Sequence, residues 1–233
     1  MEICFIHGSN RKGNTEKTIA LIKDTLRSFE EISYSDIYLH KDLPCFCEGC
    51  FLCLTTGEYA GQNCPHTQYT RPIMEKLLAS DGIVIASPCY ALAETAQVKA
   101  LFDHFACSYI THRPNEAMFD KIGFAVSTAA GAGTGRVVST IGRNLLFWGV
   151  KRIIKCEINV WAQDWEDMPA KKRSAAERLL RRKTRRFYRL TKKRYTIRTG
   201  LLRRALWFMF KQLIKSYPDT QPDKVYWKAK GWL

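Results

Sequence analysis

The chain has 233 residues, 46% hydrophobic and 12% aromatic, enough to bury a sizeable core in one domain with appendages, which excludes disorder as the bulk state. Its formal charge of +15 is uneven: residues 1–150 carry 13 Lys/Arg against 15 Asp/Glu, net −2, and residues 151–233 carry 24 against 7, net +17. A near-neutral body and a basic last third are expected to meet different partners. Met1 leads straight into Glu-Ile-Cys-Phe-Ile-His, without a basic leader, and no apolar run reaches the roughly 18 residues of a membrane span. A cytoplasmic location is therefore expected, where the nine cysteines read as metal-binding or redox groups rather than disulfide staples.

In chain order, residues 2–9 read as a buried strand closing in a Gly-Ser turn, and 15–29 as an amphipathic helix with Ile19, Ile22, Leu26 and Phe29 at spacings of three and four. Residues 31–39 form a second strand through Ile32, Tyr34 and Ile37, followed by a cysteine-rich loop. A short helix over 71–79 carries Pro72 in its first turn, where a missing N–H costs nothing. Residues 81–88 are a third strand, 94–107 a helix, 121–135 a fourth strand with a glycine-rich exit, 136–149 a helix and 150–160 a fifth strand. Five strands separated by helices indicate an α/β fold with a parallel sheet covered on both faces. Such sheets bind ligands outside the carboxyl ends of the strands, where the strand order reverses. The loops after strands one, three and four are therefore the places to look.

The first of these, residues 8–18, has Gly8 and Gly13 for tight turns, short hydrogen-bonding side chains at Ser9, Asn10, Asn14 and Thr15, and positive charge at Arg11 and Lys12. It opens a helix, so free N–H groups and the helix dipole favour an anion such as phosphate. It lacks the Gly-Lys-Ser/Thr end of a Walker A loop and the GxGxxG dinucleotide pattern. The second loop, 87–105, stiffens at Pro88 and sets Tyr90 at the mouth of the cleft. The third, 127–135, has small residues and three glycines that let the main chain approach a flat ligand closely.

Together these loops resemble those of the flavodoxin-like flavoprotein superfamily, in particular its NADPH-dependent FMN reductase and iron-sulfur flavoprotein branch, over residues 1 to about 160. The resemblance implies a doubly wound five-stranded parallel sheet of order 2-1-3-4-5 that binds FMN. It assigns Ser9, Arg11, Gly13, Asn14 and Thr15 to the FMN phosphate. It sets Pro88, Cys89, Tyr90 and Ala91 beside the isoalloxazine, with Thr128, Ala129, Ala130 and Gly131 on the other side. His104 departs from the arginine common in the branch. The implied activity is that of an NAD(P)H-dependent oxidoreductase. Hydride passes from the nicotinamide to the flavin N5, and two electrons go on to a small-molecule acceptor such as a quinone, a nitroaromatic or free flavin. The chemistry is borne by the flavin and demands no catalytic side chain, with Tyr90 expected near the ring. A homodimer is also implied, because the flavin cleft of this branch is commonly completed by another subunit.

The set Cys47-x2-Cys50-x2-Cys53-x10-Cys64-Pro65, with Cys45 just ahead and His66 just behind, leaves three readings open. Two successive x2 spacings wrap a chain around one corner of a [4Fe–4S] cluster, as in iron-sulfur flavoproteins, where the fourth cysteine usually follows sooner. That reading makes the chain an electron carrier between protein partners. The second reading is Zn2+ held by three cysteines plus Cys64 or His66. The third is a set of free thiols lining the substrate pocket. Cys4, Cys107 and Cys156 are expected in core packing, and Cys89 near the flavin.

Residues 166–233 are expected as a basic helical extension to a flavin-binding domain of residues 1–165. A helix from near Pro169 carries Ala176, Leu179, Leu180, Phe187 and Leu190 as a narrow stripe between rows of Arg and Lys. A second helix sets Leu202, Ala205, Leu206, Met209 and Leu213 on one face, widened by Trp207, Phe208 and Phe210. Either the two helices pack on the body or a partner subunit, or residues 171–216 bind an anionic membrane surface, which would make the chain a flavin-binding module acting there. Nucleic acid is not expected, since no recognised binding motif accompanies the charge. The ending from Tyr226 to Leu233 is expected to be an ordered part of the fold.

Overall fold

The computed structural model describes residues 1–55 and 61–233. Among them, β1 (Glu2–His7), β2 (Ser33–Tyr38), β3 (Gly82–Pro88), β4 (Ile122–Ala129) and β5 (Arg152–Asn159) form one parallel sheet. Its order is β2-β1-β3-β4-β5, the flavodoxin-like order the resemblance implied. The register sets Ile6 beside both Ile37 and Ile85. The central strands β3 and β4 are buried along their whole length, whereas β5 at the sheet edge alternates buried and exposed residues.

One face is covered by α1 (Asn14–Arg27) and α6 (Ala170–Lys192), which lie against each other. Ile19, Ile22 and Leu26 of α1 and Leu180 and Phe187 of α6 pack on Phe5, Val84 and Phe124. Phe187 reaches so close to the sheet that a Cβ on Gly82 would stand 2.6 Å from its ring. The narrow apolar stripe of α6 is therefore core, with its basic rows outside. The other face is covered by α2 (Leu39–Asp42), α3 (Thr67–Ala79), α4 (Ala96–His104) and α5 (Thr134–Phe147). Cys4, Cys107 and Cys156 are all buried.

Two local expectations are corrected. Helix α3 starts at Thr67, because the amides of Tyr69 and Thr70 already donate to the His66 carbonyl. Pro72 thus sits in the second turn, and the bond it cannot make falls at exposed Gln68. The second correction concerns α7 (Leu201–Lys215). The side that packs is Arg203, Trp207, Phe210 and Ile214, and the expected apolar face turns outward, with Leu201 80% and Phe208 66% exposed and Leu202, Met209 and Leu213 beside them. Tertiary partners decide this. Trp207 stacks on Trp227 at 4.6 Å between centroids, Phe210 meets Phe147 at 6.0 Å, and Arg203 donates to the carbonyls of Phe119 and Gly149.

The ending forms α8 (Pro222–Ala229). Its Trp227 is fully buried and donates from Nε1 to the His112 carbonyl at 2.7 Å, and Tyr226 donates to the Pro114 carbonyl at 2.8 Å. Among the described residues no helix is long and apolar enough to cross a membrane.

Candidate active site

The carboxyl ends of β1, β3 and β4 open on a cleft of about 230 Å³. It is lined by Ser9, Arg11, Gly13, Asn14 and Thr15 from the first loop, Pro88, Cys89 and Tyr90 from the second, Thr128, Ala129 and Ala130 from the third, and Gln163. Ala91 and Gly131 lie outside this lining. Topology brings the loops together, and hydrogen bonds then fix them. The Thr95 hydroxyl donates to the Gly8 carbonyl at 2.7 Å, and the Thr95 amide donates to the Ser87 hydroxyl at 3.2 Å, tying the exit of β1 to that of β3.

Gly13 precedes α1 without a side-chain cap, so the first-turn N–H groups, with the positive end of the helix dipole, are left for a ligand. Asn14 donates from its amide nitrogen to the Gln163 carbonyl at 3.0 Å, while its Oδ1 is buried and lacks a hydrogen-bond partner among the described residues. An uncapped helix start beside Arg11 suits a phosphate, and a buried acceptor short of a donor suits a ligand hydroxyl. These residues fit FMN, which carries both groups. Arg11 meets Asp164 at 3.1 Å and Lys17 meets Glu166, so the segment after β5 straps the phosphate loop.

Tyr90 is held at the mouth by a strained turn. It exchanges both backbone hydrogen bonds with Ala93 at 3.0 Å, and between them Ala91 (φ 49°) and Leu92 (φ 63°) are left-handed. That geometry usually takes Asn-Gly, and non-glycine residues in it are strained. Opposite, Gly133 (φ 99°) starts α5, and a Cβ there would stand 2.6 Å from Cys89 Sγ. Burial, with Glu94 nearby, pushes the Cys89 thiol up, so it meets the cleft as neutral S–H.

Gln163 and its neighbours Asp164 and Glu166 were not singled out in the sequence. No local pattern marks them, because their role comes only from the exit of β5 passing near α1.

A second, narrow cavity, of about 20 Å³, is lined by Cys47, Cys50, Cys53 and Cys64 together with Glu48, Phe51, Pro65, His66 and His104. The ten-residue spacing before Cys64 is taken up because the chain returns to its starting point: the Gly61 amide donates to the Cys53 carbonyl at 3.4 Å, and the Cys64 amide to the Gly61 carbonyl at 3.0 Å. A hydrogen bond from Cys107 holds the Cys53 thiol down at about 6 against the cost of its burial, with help from the Arg113 guanidinium, and Cys107 is correspondingly raised. Burial, reinforced by the neighbouring thiols, raises Cys64. Four cysteines on the wall of one cavity, one already a thiolate near neutral pH, offer the donor chemistry of a [4Fe–4S] cluster, but among the described residues their sulfurs do not close to the spacing of a single metal ion.

The sequence model of NADPH-dependent FMN reductase matches residues 1–162. An iron-sulfur flavoprotein of Methanosarcina thermophila is 32% identical over 139 residues, 58% of this chain and 67% of that protein. An iron-sulfur flavoprotein of Archaeoglobus fulgidus is 30% identical over 153 residues, 64% of this chain and 64% of that protein. The matches thus span about two thirds of these relatives' lengths. Among solved structures, azoreductase from Bacillus anthracis superposes with a TM-score of 0.65 at 12% identity, covering 80% of this chain and 100% of that one. NAD(P)H:quinone oxidoreductase from Methanothermobacter marburgensis gives 0.57 at 18% identity, covering 80% and 96%. At these identities the structural likeness speaks for the fold.

Proposed function

The chain belongs to the NADPH-dependent FMN reductase family, a family of flavin oxidoreductases, and on that premise we propose that it is an FMN-dependent NAD(P)H oxidoreductase serving a small-molecule acceptor. The observation that carries this reading is the single cleft in which eleven residues of the three loops meet. FMN bound there supplies hydride acceptance from a nicotinamide and return of two electrons to an acceptor. The chain's own part is to hold and orient. The start of α1 and Arg11 take the phosphate, Asn14 Oδ1 accepts from a ligand hydroxyl, and Tyr90 and the Thr128–Ala130 backbone flank the flat ring. Protein purified with added FMN is expected to be yellow and to bleach with NADH or NADPH under anaerobic conditions. A colourless protein, or bound flavin that neither nucleotide bleaches, overturns the reading.

A second reading adds a [4Fe–4S] cluster on Cys47, Cys50, Cys53 and Cys64, and with it single-electron traffic to a carrier protein. It is favoured by the four sulfurs lining one cavity and by iron-sulfur flavoproteins among the relatives. About four irons and four labile sulfides per chain are expected of anaerobically purified protein; an iron-free protein overturns it.

The outward face of α7 supports an anionic lipid surface as a partner. Leu202 borders a groove whose charged lining residues, among those described, are Arg143, Lys151, Arg152, Lys155 and Arg203, all cations. Exposed apolar side chains beside an unbroken basic groove are what such a surface binds.

A further inference from the structure

Beside the thiol cavity, whose wall holds His66 and His104, these two histidines meet Cys45, a side chain outside the four-cysteine set. His66 Nδ1 and His104 Nε2 lie 3.0 Å apart, and the ligand atoms of Cys45, His66 and His104 all lie within 4.8 Å of one another. The far nitrogen of each ring already has an acceptor. His104 Nδ1 is 2.8 Å from the Ala100 carbonyl oxygen, and His66 Nε2 is 3.5 Å from a Glu48 carboxylate oxygen. A carbonyl only accepts, so His104 Nδ1 carries the N–H and its Nε2 offers a lone pair. His66 Nδ1–H donates to that lone pair at 3.0 Å, and a shift of the His66 proton to Nε2, which faces the Glu48 carboxylate at 3.5 Å, frees Nδ1 as a second lone pair beside it. A cation between the two nitrogens then takes the place of the shared proton.

This arrangement is how proteins aim histidines at a metal: the outer N–H goes to a carbonyl or carboxylate, and the inner nitrogen is fixed in direction and tautomer. The sequence order suits it as well. Cys45 stands just before the four cysteines, His66 just after them, and His104 ends α4.

We propose that Cys45, His66 and His104 form a second metal site, distinct from the Cys47/Cys50/Cys53/Cys64 set, that binds one Zn2+ through Sγ, Nδ1 and Nε2 and leaves a fourth position to water. Tetrahedral zinc, with Zn–N near 2.0–2.1 Å and Zn–S near 2.3 Å, wants ligand atoms roughly 3.3–3.6 Å apart. The nitrogens are already close to that, and a sulfur shift of about 1 Å completes the set. Two imidazoles and one thiolate select a borderline-soft ion over Mg2+ or Ca2+. On binding, the Cys45 S–H bond breaks, a Zn–S bond forms and the proton leaves to solvent; no electrons change hands. Bound zinc clamps both ends of the four-cysteine loop to α4, so it positions those thiols without being one of their ligands.

The test is a metal count on full-length protein purified anaerobically, comparing the unsubstituted chain with Cys45→Ser, His104→Gln and Cys47→Ser. About one zinc per chain is expected in the unsubstituted protein and in Cys47→Ser, with occupancy falling at least about fivefold in the other two. Cobalt(II) added to zinc-depleted protein should give visible tetrahedral bands with a thiolate charge-transfer band that Cys45→Ser lacks. FMN affinity checks the fold of each variant, and if His104→Gln does not fold, the cobalt comparison decides. Zinc unchanged in both Cys45→Ser and His104→Gln, or lost in Cys47→Ser alone, overturns the proposal. The iron count reports separately on the four-thiol cavity, so either metal reading can fail without the other.

Discussion

The hydroxyl oxygens of Thr15 and Thr128 lie 2.7 Å apart, joining the first turn of α1 to the end of β4 across the cleft. Both are buried, so the bond fixes the distance between the loop after β1 and the loop after β4. Thr15→Val keeps the shape and leaves Thr128 unpaired. FMN affinity should fall about tenfold, or about 1.4 kcal/mol, in a fluorescence titration. The double variant Thr15→Val/Thr128→Val should lose clearly less than the sum of the two singles. An unchanged titration in Thr15→Val removes the bond from the account of the site.

The turn that presents Tyr90 stores strain at Ala91 and Leu92. A left-handed non-glycine residue costs roughly 1–2 kcal/mol, and glycine's extra freedom in the unfolded chain costs about 0.5–1 kcal/mol. Ala91→Gly should therefore stabilise the protein by about 0.5–1 kcal/mol, raising the melting midpoint by about 2 °C. A lowered midpoint means that the turn is not under tension.

Phe187 and Phe208 both lie in helices of the basic last third but differ in standing. Phe187 is fully buried beneath Gly82, while Phe208 is 66% exposed. Phe187→Ala should cost about 3–5 kcal/mol in denaturant unfolding, and Phe208→Ala no more than about 0.5 kcal/mol. Equal losses would refute the assignment of α6 to the core and of the outer face of α7 to solvent.

Because the Cys107 thiol donates to Cys53 and holds it at about 6, metal-free protein should be alkylated at Cys53 with a midpoint near that pH. Above the midpoint Cys53 is thiolate and reactive; below it, thiol and slow. Cys107→Ala removes the donor, so the midpoint moves up toward the ordinary thiol range and the rate at pH 7.5 drops about tenfold. Site-resolved mass spectrometry with iodoacetamide reads this directly, and an unmoved midpoint assigns the low value to Arg113 instead.

Flotation with vesicles rich in phosphatidylserine is expected for the intact protein and not for Phe208→Glu/Met209→Glu. Binding should weaken steeply as salt is raised from 0.05 to about 0.3 M. Vesicle binding that survives both the double substitution and high salt removes α7 from the partner surface.

The meeting of the three loops at one cleft was legible because its information is local. A strand ending in Gly-Ser, a helix opening at Asn14-Thr15, and small residues after β4 each declare their geometry within a few positions. What was illegible depended on distant contacts. Helix α7 is apolar on two sides, and contacts with Phe119, Phe147, Trp227 and Trp232, together with the Arg203 bonds, decide that Trp207 and Phe210 go inward. His104 stood out as a departure from the branch, yet nothing in the sequence said that His66, 38 positions earlier, would face it. Nor does the ten-residue interval between Cys53 and Cys64 say that the Gly61 amide donates to the Cys53 carbonyl and brings the two cysteines to one cavity.

Arg11 and Lys17, two cations of the phosphate loop, are each already partnered, by Asp164 and Glu166. On the proposed assignment, an arriving phosphate competes with Asp164 for the Arg11 guanidinium, of which, among the described residues, only Nη2 is engaged, so capture there becomes partly an exchange of anions rather than the filling of a naked positive hole. The two carboxylates would then discount the cofactor's affinity and offer the cations a ready partner when it leaves.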